Sequence, residues 1–172
     1  MSKKLSLRLF TVLIAGVLAA VIIFPSASSA MPGNSGAIPT TKAFHQFQTK
    51  VCRIFRKQNN AAAASVYQFN YYYYNSPNTP ENLEAAGSWM QHLYTIYNNY
   101  NAGLRSLKAP PGYQRDWHKY NTQENQVLKF GFKAAAALMQ ANDGLFHFYE
   151  NKNETWQRNR NTTFSQMALY CG

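Results

Sequence analysis

The sequence predicts an all-α fold, an up-down-up-down four-helix bundle closed by one disulfide. Three observations lead there. Apolar residues recur at three- and four-residue steps through four long segments, proline- and glycine-bearing breaks separate those segments, and two cysteines stand near opposite ends of the helical region.

Residues 1–30 are set apart from the bundle. Lys3, Lys4 and Arg8 precede an uncharged apolar run that Pro25 ends, and small residues follow up to Ala30. This is the three-part pattern of a secretory signal peptide, with cleavage expected between Ala30 and Met31. An uncleaved anchor is the alternative reading, since Leu9 to Phe24 falls slightly short of the roughly 20 apolar residues that span a bilayer. Residues 31–40, rich in Pro and Gly, read as a flexible lead-in, and 41–172 as the bundle domain. The expected location is secreted or associated with the cell envelope.

The first helix is expected to run to Asn75, with Phe44, Phe47, Val51, Ile54, Phe55, Ala62, Val66, Phe69 and Tyr73 on its apolar stripe and a bend at Asn59 and Asn60. "NSPNTPENL" then opens the second, with Thr79 as N-cap, Pro80 at the first helical position and Glu81 near the positive end of the dipole. Leu83, Ala86, Met90, Leu93, Tyr97, Tyr100, Leu104 and Leu107 give it a near-heptad repeat that specifies shallow-angle packing. Pro110, Pro111 and Gly112 end it. The third helix starts near Gln114. Either "NDG" at 142–144 separates it from a fourth beginning near Leu145, the favoured reading because it gives four segments of similar length, or it continues to about Asn151 and the fourth starts at "NKNETW". The final stripe is Trp156, Thr163, Phe164, Met167 and Tyr170.

Export explains the cysteines. An oxidising compartment favours pairing of the two, Cys52 and Cys171. In an up-down-up-down bundle the fourth helix returns to the level where the first begins, so the two sulfurs can meet. Cys52 lies about 15 Å into its helix at 1.5 Å per residue. The fourth helix should therefore stop short of the first helix's start, leaving an overhang for the lead-in to wrap.

Cys52, "LRSLKAPPG" from Leu104 to Gly112 and the terminal "LYCG" together resemble a loose group of small secreted bacterial proteins, common in actinobacteria. The group shares a cysteine in the first mature helix, a double-proline break and a C-terminal Cys-Gly. The resemblance covers most of the mature chain. It implies a disulfide-closed helical bundle and assigns no activity.

The chain carries a formal net charge of +10, which becomes +7 once residues 1–30 are removed. No Asp or Glu occurs between Met31 and Pro80, whereas Lys42, Lys50, Arg53, Arg56 and Lys57 do. Lys50, Arg53, Arg56 and Lys57 are therefore the candidate anion-binding residues, for an anionic envelope polymer or a membrane surface, with nucleic acid a less expected polyanion. A charge run also serves as a solvated face. Scarcity of carboxylates suits an acidic exterior, because few ion pairs are lost as they protonate.

"NYYYYN" is the most unusual local feature. Four consecutive helical positions point around most of the circumference, so one or two rings must face outward. Tyr71, Tyr72 and Tyr74 are the candidate aromatic contacts for a partner such as another protein. Four histidines, His45, His92, His118 and His147, fall one per helix and invite a reading as a metal or small-ligand carrier, but the paired Glu-x-x-His pattern of di-iron bundles is absent. No metal ligands and no cofactor are assigned. The sequence lacks G-x-S-x-G, a phosphate-binding glycine loop, H-E-x-x-H and C-x-x-C-H, so a non-enzymatic binding module is expected. "NET" and "NTT" at Asn153 and Asn161 match the glycosylation pattern, which the bacterial look of the leader sets aside.

Overall fold

The computed structural model describes residues 41–171. The signal segment, its cleavage and the lead-in lie outside the described residues. Four helices follow in order: α1 Lys42–Asn70, α2 Pro80–Arg105, α3 Gln114–Met139 and α4 Asp143–Gln166, with no strand among the described residues. Sequential helices pack along their lengths as an up-down-up-down bundle.

The helix ends have local causes. Thr41 caps α1 by accepting from Phe44 N at 3.3 Å, and Thr79 caps α2 by accepting from Asn82 N at 3.3 Å. Glu81, in the first turn of α2, is held below the usual carboxylate range by its own backbone N–H and by the Thr79 hydroxyl. Asn142 accepts from Leu145 N at 3.0 Å and starts α4 where the "NDG" break falls. Ala141, with φ 49°, ends α3 in the left-handed region. There Asn142 N donates to Ala137 O and Ala141 N to Leu138 O, the paired bonds of a Schellman cap.

The helical run that begins with α1 reaches Asn75, the end expected for the first helix. The helix passes through Asn59 and Asn60 without a break, and its irregularity comes later, as a π-helical turn over Tyr71–Asn75. A wider turn lets consecutive tyrosines spread their rings over the bundle end. Phe69 stacks on Tyr73 at 5.4 Å, and Tyr73 reaches Phe146 of α4 at 5.1 Å.

The interior has two apolar clusters with a polar layer between them. At the π-turn end Phe69, Leu83, Met90, Tyr94, Val127, Leu138 and Phe146 pack together. At the other end Phe44, Phe47, Val51, Leu104, Trp117, Tyr120, Met167 and Leu169 do so. Along α1, α2 and α3 the buried polar residues Gln58, Asn101, Gln123 and Glu124 fall between the two sets. Tyr94 and Asn101 take inner positions of α2, while Tyr97 and Tyr100 sit at its edge.

Cys52 and Cys171 are joined, with Cα atoms 5.0 Å apart and 119 residues between them in sequence. This fits an oxidising, extracytoplasmic compartment. Ala168, with φ 52°, turns the chain out of α4, so Leu169 is buried and Tyr170 is exposed, the reverse of a continued helical stripe. Gln48 Nε2 of α1 donates to Tyr170 O at 2.7 Å and guides the tail to the sulfur. The α1 overhang packs on the start of α3, with Phe44 against Tyr113 at 5.0 Å and Phe47 edge-on to Trp117 at 4.9 Å.

Candidate functional site

The solvent face of α1 is built by helical period alone. Val51 is fully buried and Ile54 and Phe55 are half-buried, which leaves Lys50, Arg53, Arg56 and Lys57 on the outer stripe, all exposed. From Lys50 to Lys57 the stripe covers about 10 Å of helix axis. Lys42, His45, Gln46 and Thr49 extend it toward the N-terminus and are exposed too. No carboxylate occurs anywhere on α1. Its outer face is thus a strip of positive potential with polar donors between the charges, suited to a polyanion.

The stripe continues past the charges. Tyr67 is 68% exposed and Tyr71 49% exposed, one turn apart and in line with Arg53 and Arg56 at 100° per residue. Of the sequence-derived aromatic candidates, Tyr71 alone is exposed. Tyr72, Tyr73 and Tyr74 are half-buried and pack on the apolar cluster below. Burial and the nearby Glu150 push the Tyr73 and Tyr74 hydroxyls above their ordinary range. Tyr67, outside the tyrosine run, is the missed residue. Its signal is its seven-residue spacing from Asn60 on the outer stripe.

The histidines stay apart. His45, His92 and His118 are exposed on three different helices, and His92 Nδ1 lies 2.8 Å from Ser65 Oγ. His147 sits between carboxylates of its own helix, Nε2 3.4 Å from Asp143 Oδ1 and Nδ1 3.2 Å from Glu150 Oε2. Among the described residues no group of three His, Cys, Asp or Glu is arranged to hold a metal ion.

The polar layer holds the buried charges. Asn101 Nδ2 of α2 donates to Glu124 Oε1 of α3 at 2.8 Å, and Arg160 Nη1 of α4 donates to Glu124 Oε2 at 2.6 Å. Tyr97 beside them is pushed up to about 12, chiefly by burial. Asn153 is buried, donates to Val127 O at 2.6 Å and accepts from Tyr94 Oη at 3.2 Å, so it is a cross-helix strut and not an open glycosylation acceptor. The layer ties α2, α3 and α4 together and is largely closed to solvent.

No protein-family model matches the chain, no curated protein is significantly similar to it, and no solved structure matches it.

Proposed function

We propose that this protein is a secreted, non-enzymatic helical module that binds a phosphate-bearing polymer of the cell envelope along the outer stripe of α1. The observation that carries the reading is that stripe: four cations within two turns, all exposed, on a helix without a single carboxylate. Lys50, Arg53, Arg56 and Lys57 pair with successive phosphates, and Tyr67 and Tyr71 extend the interaction further along the helix. A rigid bundle suits this role, because the disulfide and the packed interior fix α1 before the ligand arrives and little ordering remains to be done on binding.

Binding of purified teichoic acid to the secreted protein tests the reading. Replacing all four cations with Gln keeps helix propensity and removes charge. Affinity at low salt should then fall steeply. The slope of log affinity against log salt should drop by about 3, since each neutralised phosphate contributes about 0.7–0.9 to it. Unchanged affinity and slope in the folded variant would make the stripe a solubilising face.

A further inference from the structure

A second surface lies on α3 and α4. At 100° per residue, Asp143, His147, Glu150 and Glu154 share one edge of α4, and the pairs His147–Asp143 and His147–Glu150 run along it. Leu145, Phe148, Tyr149 and Lys152 fall away from that acidic edge, toward α3. There Tyr149 meets Phe130 of α3 at 6.5 Å and lies under Lys133 Nζ at 5.2 Å. Lys129 Nζ stands 5.7 Å from the Phe130 ring and Lys152 Nζ 5.7 Å from the Phe148 ring. Three exposed lysines thus each stand over an aromatic ring on one two-helix face, and the α3 stretch from Asn125 to Met139 contains no carboxylate.

Leu145 is 41% exposed and Phe148 53% exposed. Neither has a polar tip, so neither can hydrogen-bond a sugar or a base edge. An exposed apolar pair on the same face as long-stemmed cations, with Lys152 over Phe148 itself, matches a lipid interface: Leu and Phe enter the acyl boundary while lysine ammonium groups reach the phosphates. No carboxylate interrupts the α3 half of this face, and those of α4 keep to its other edge, so the lysines select an anionic surface.

We infer that the Leu145–Phe148 pair and the neighbouring lysines Lys129, Lys133 and Lys152 on the same two-helix face form a docking face for an anionic lipid bilayer. It uses different helices from the cations of α1, so the secreted protein has one face for a polymer and another for a membrane. Contact through this face is peripheral, since Leu145 and Phe148 reach only the acyl boundary; among the described residues no helix is long and apolar enough to cross a membrane.

Flotation of the secreted protein with phosphatidylcholine vesicles, with and without phosphatidylglycerol, tests this. Binding is expected only with phosphatidylglycerol. Leu145→Ser with Phe148→Ser should weaken it by about tenfold, as half-exposed apolar area leaves the interface. Replacing Lys129, Lys133 and Lys152 with Gln should weaken it by about fivefold per lysine and flatten its salt dependence. The four Gln substitutions in α1 should leave it within about twofold, at the level of surface charges outside the interface. As an independent readout, Phe148→Trp should give emission that shifts to the blue on vesicles and is quenched by brominated acyl chains. Equal binding to neutral vesicles, undiminished binding of the double-serine variant with its melting temperature intact, or loss of binding in the α1 variant instead would each overturn the assignment.

Discussion

Arg160 of α4 and Glu124 of α3 meet 36 residues apart in sequence, Nη1 to Oε2 at 2.6 Å, with only 12% and 5% of their side chains exposed. Glu124 also accepts from Asn101, so one carboxylate ties three helices at mid-height. Opposing effects act on Arg160: burial works against its charge, while Glu124 and the neighbouring Tyr120 favour it and hold its pKa above the ordinary range. The guanidinium stays charged, and its neutralisation depends on one partner.

Glu124→Gln should therefore destabilise the bundle strongly. Breaking a buried pair leaves an uncompensated charge, which costs about 3–5 kcal/mol. For a domain of this size that lowers the melting temperature by about 10 °C or more. Glu124→Leu combined with Arg160→Met should cost less than Glu124→Gln alone, because no buried charge is left over. Calorimetry on the variants checks both statements, and additive losses would mean the two residues do not act as a pair.

Glu150 gives the fold a pH dependence of defined sign. Burial is the main cause that raises it to about 7, the His147 contact opposes that shift, and Glu154 and Asp143 reinforce it. Tyr73 and Tyr74 face it from the π-helical turn. A carboxyl that binds its proton more tightly folded than unfolded adds stability below its unfolded value of about 4.3. That contribution is lost as pH rises to about 7. Urea midpoints should fall between pH 5 and pH 8 in the native protein, and Glu150→Gln should flatten that fall and be the more stable form at pH 8. A native midpoint that rises over this range would contradict the assignment.

Reduction of the Cys52–Cys171 bridge opens a loop with a sequence separation of 119 residues. In the chain-entropy model closing such a loop is worth about 4–5 kcal/mol, an upper value. The melting temperature should fall by about 10 °C on reduction. Leu169 and Met167 remain buried by their own apolar contacts, so the reduced protein should stay helical by circular dichroism below its melt. Non-reducing digestion of the native protein should yield the cross-linked peptide, and free thiols in that form would refute the pairing.

Much of this architecture is legible in the sequence because its signals are local. Thr79 and Pro80 announce the start of α2, and the spacing of Val51 from Lys50 and Arg53 settles which side of α1 faces water. The end of α3 is harder to read, since Ala141 occupies the left-handed position that glycine ordinarily marks. The outward turn of Tyr170 is concealed for the same reason, with Ala168 taking the left-handed position just before it. Glu124 and Arg160 are hidden because single charges look like surface residues until a partner on another helix is known. The Phe148 and Lys129 face is hidden likewise, as its side chains come from two helices and only their pairing makes a surface.

The helix glycines provide a graded test of how closely the bundle is packed. At Gly87 a Cβ would lie 2.7 Å from Met139 N and 2.8 Å from Ala135 O, both backbone atoms that cannot move away without parting α2 from α3. At Gly131 it would overlap the Tyr94 ring, whose hydroxyl is engaged with Asn153. At Gly103 the nearest atom is Ile54 Cδ1 at 3.5 Å, an ordinary contact. Alanine gains about 1 kcal/mol over glycine in a helix interior, whereas overpacking a filled core costs about 1–3 kcal/mol. Gly103→Ala should therefore stabilise, while Gly131→Ala and Gly87→Ala should destabilise. Gly87→Ala should be the worst, because backbone cannot rotate aside as a ring can. Denaturant midpoints for the three variants give the order directly, and a stabilising Gly87→Ala would mean that α2 and α3 do not approach as closely as their contact at Met139 requires.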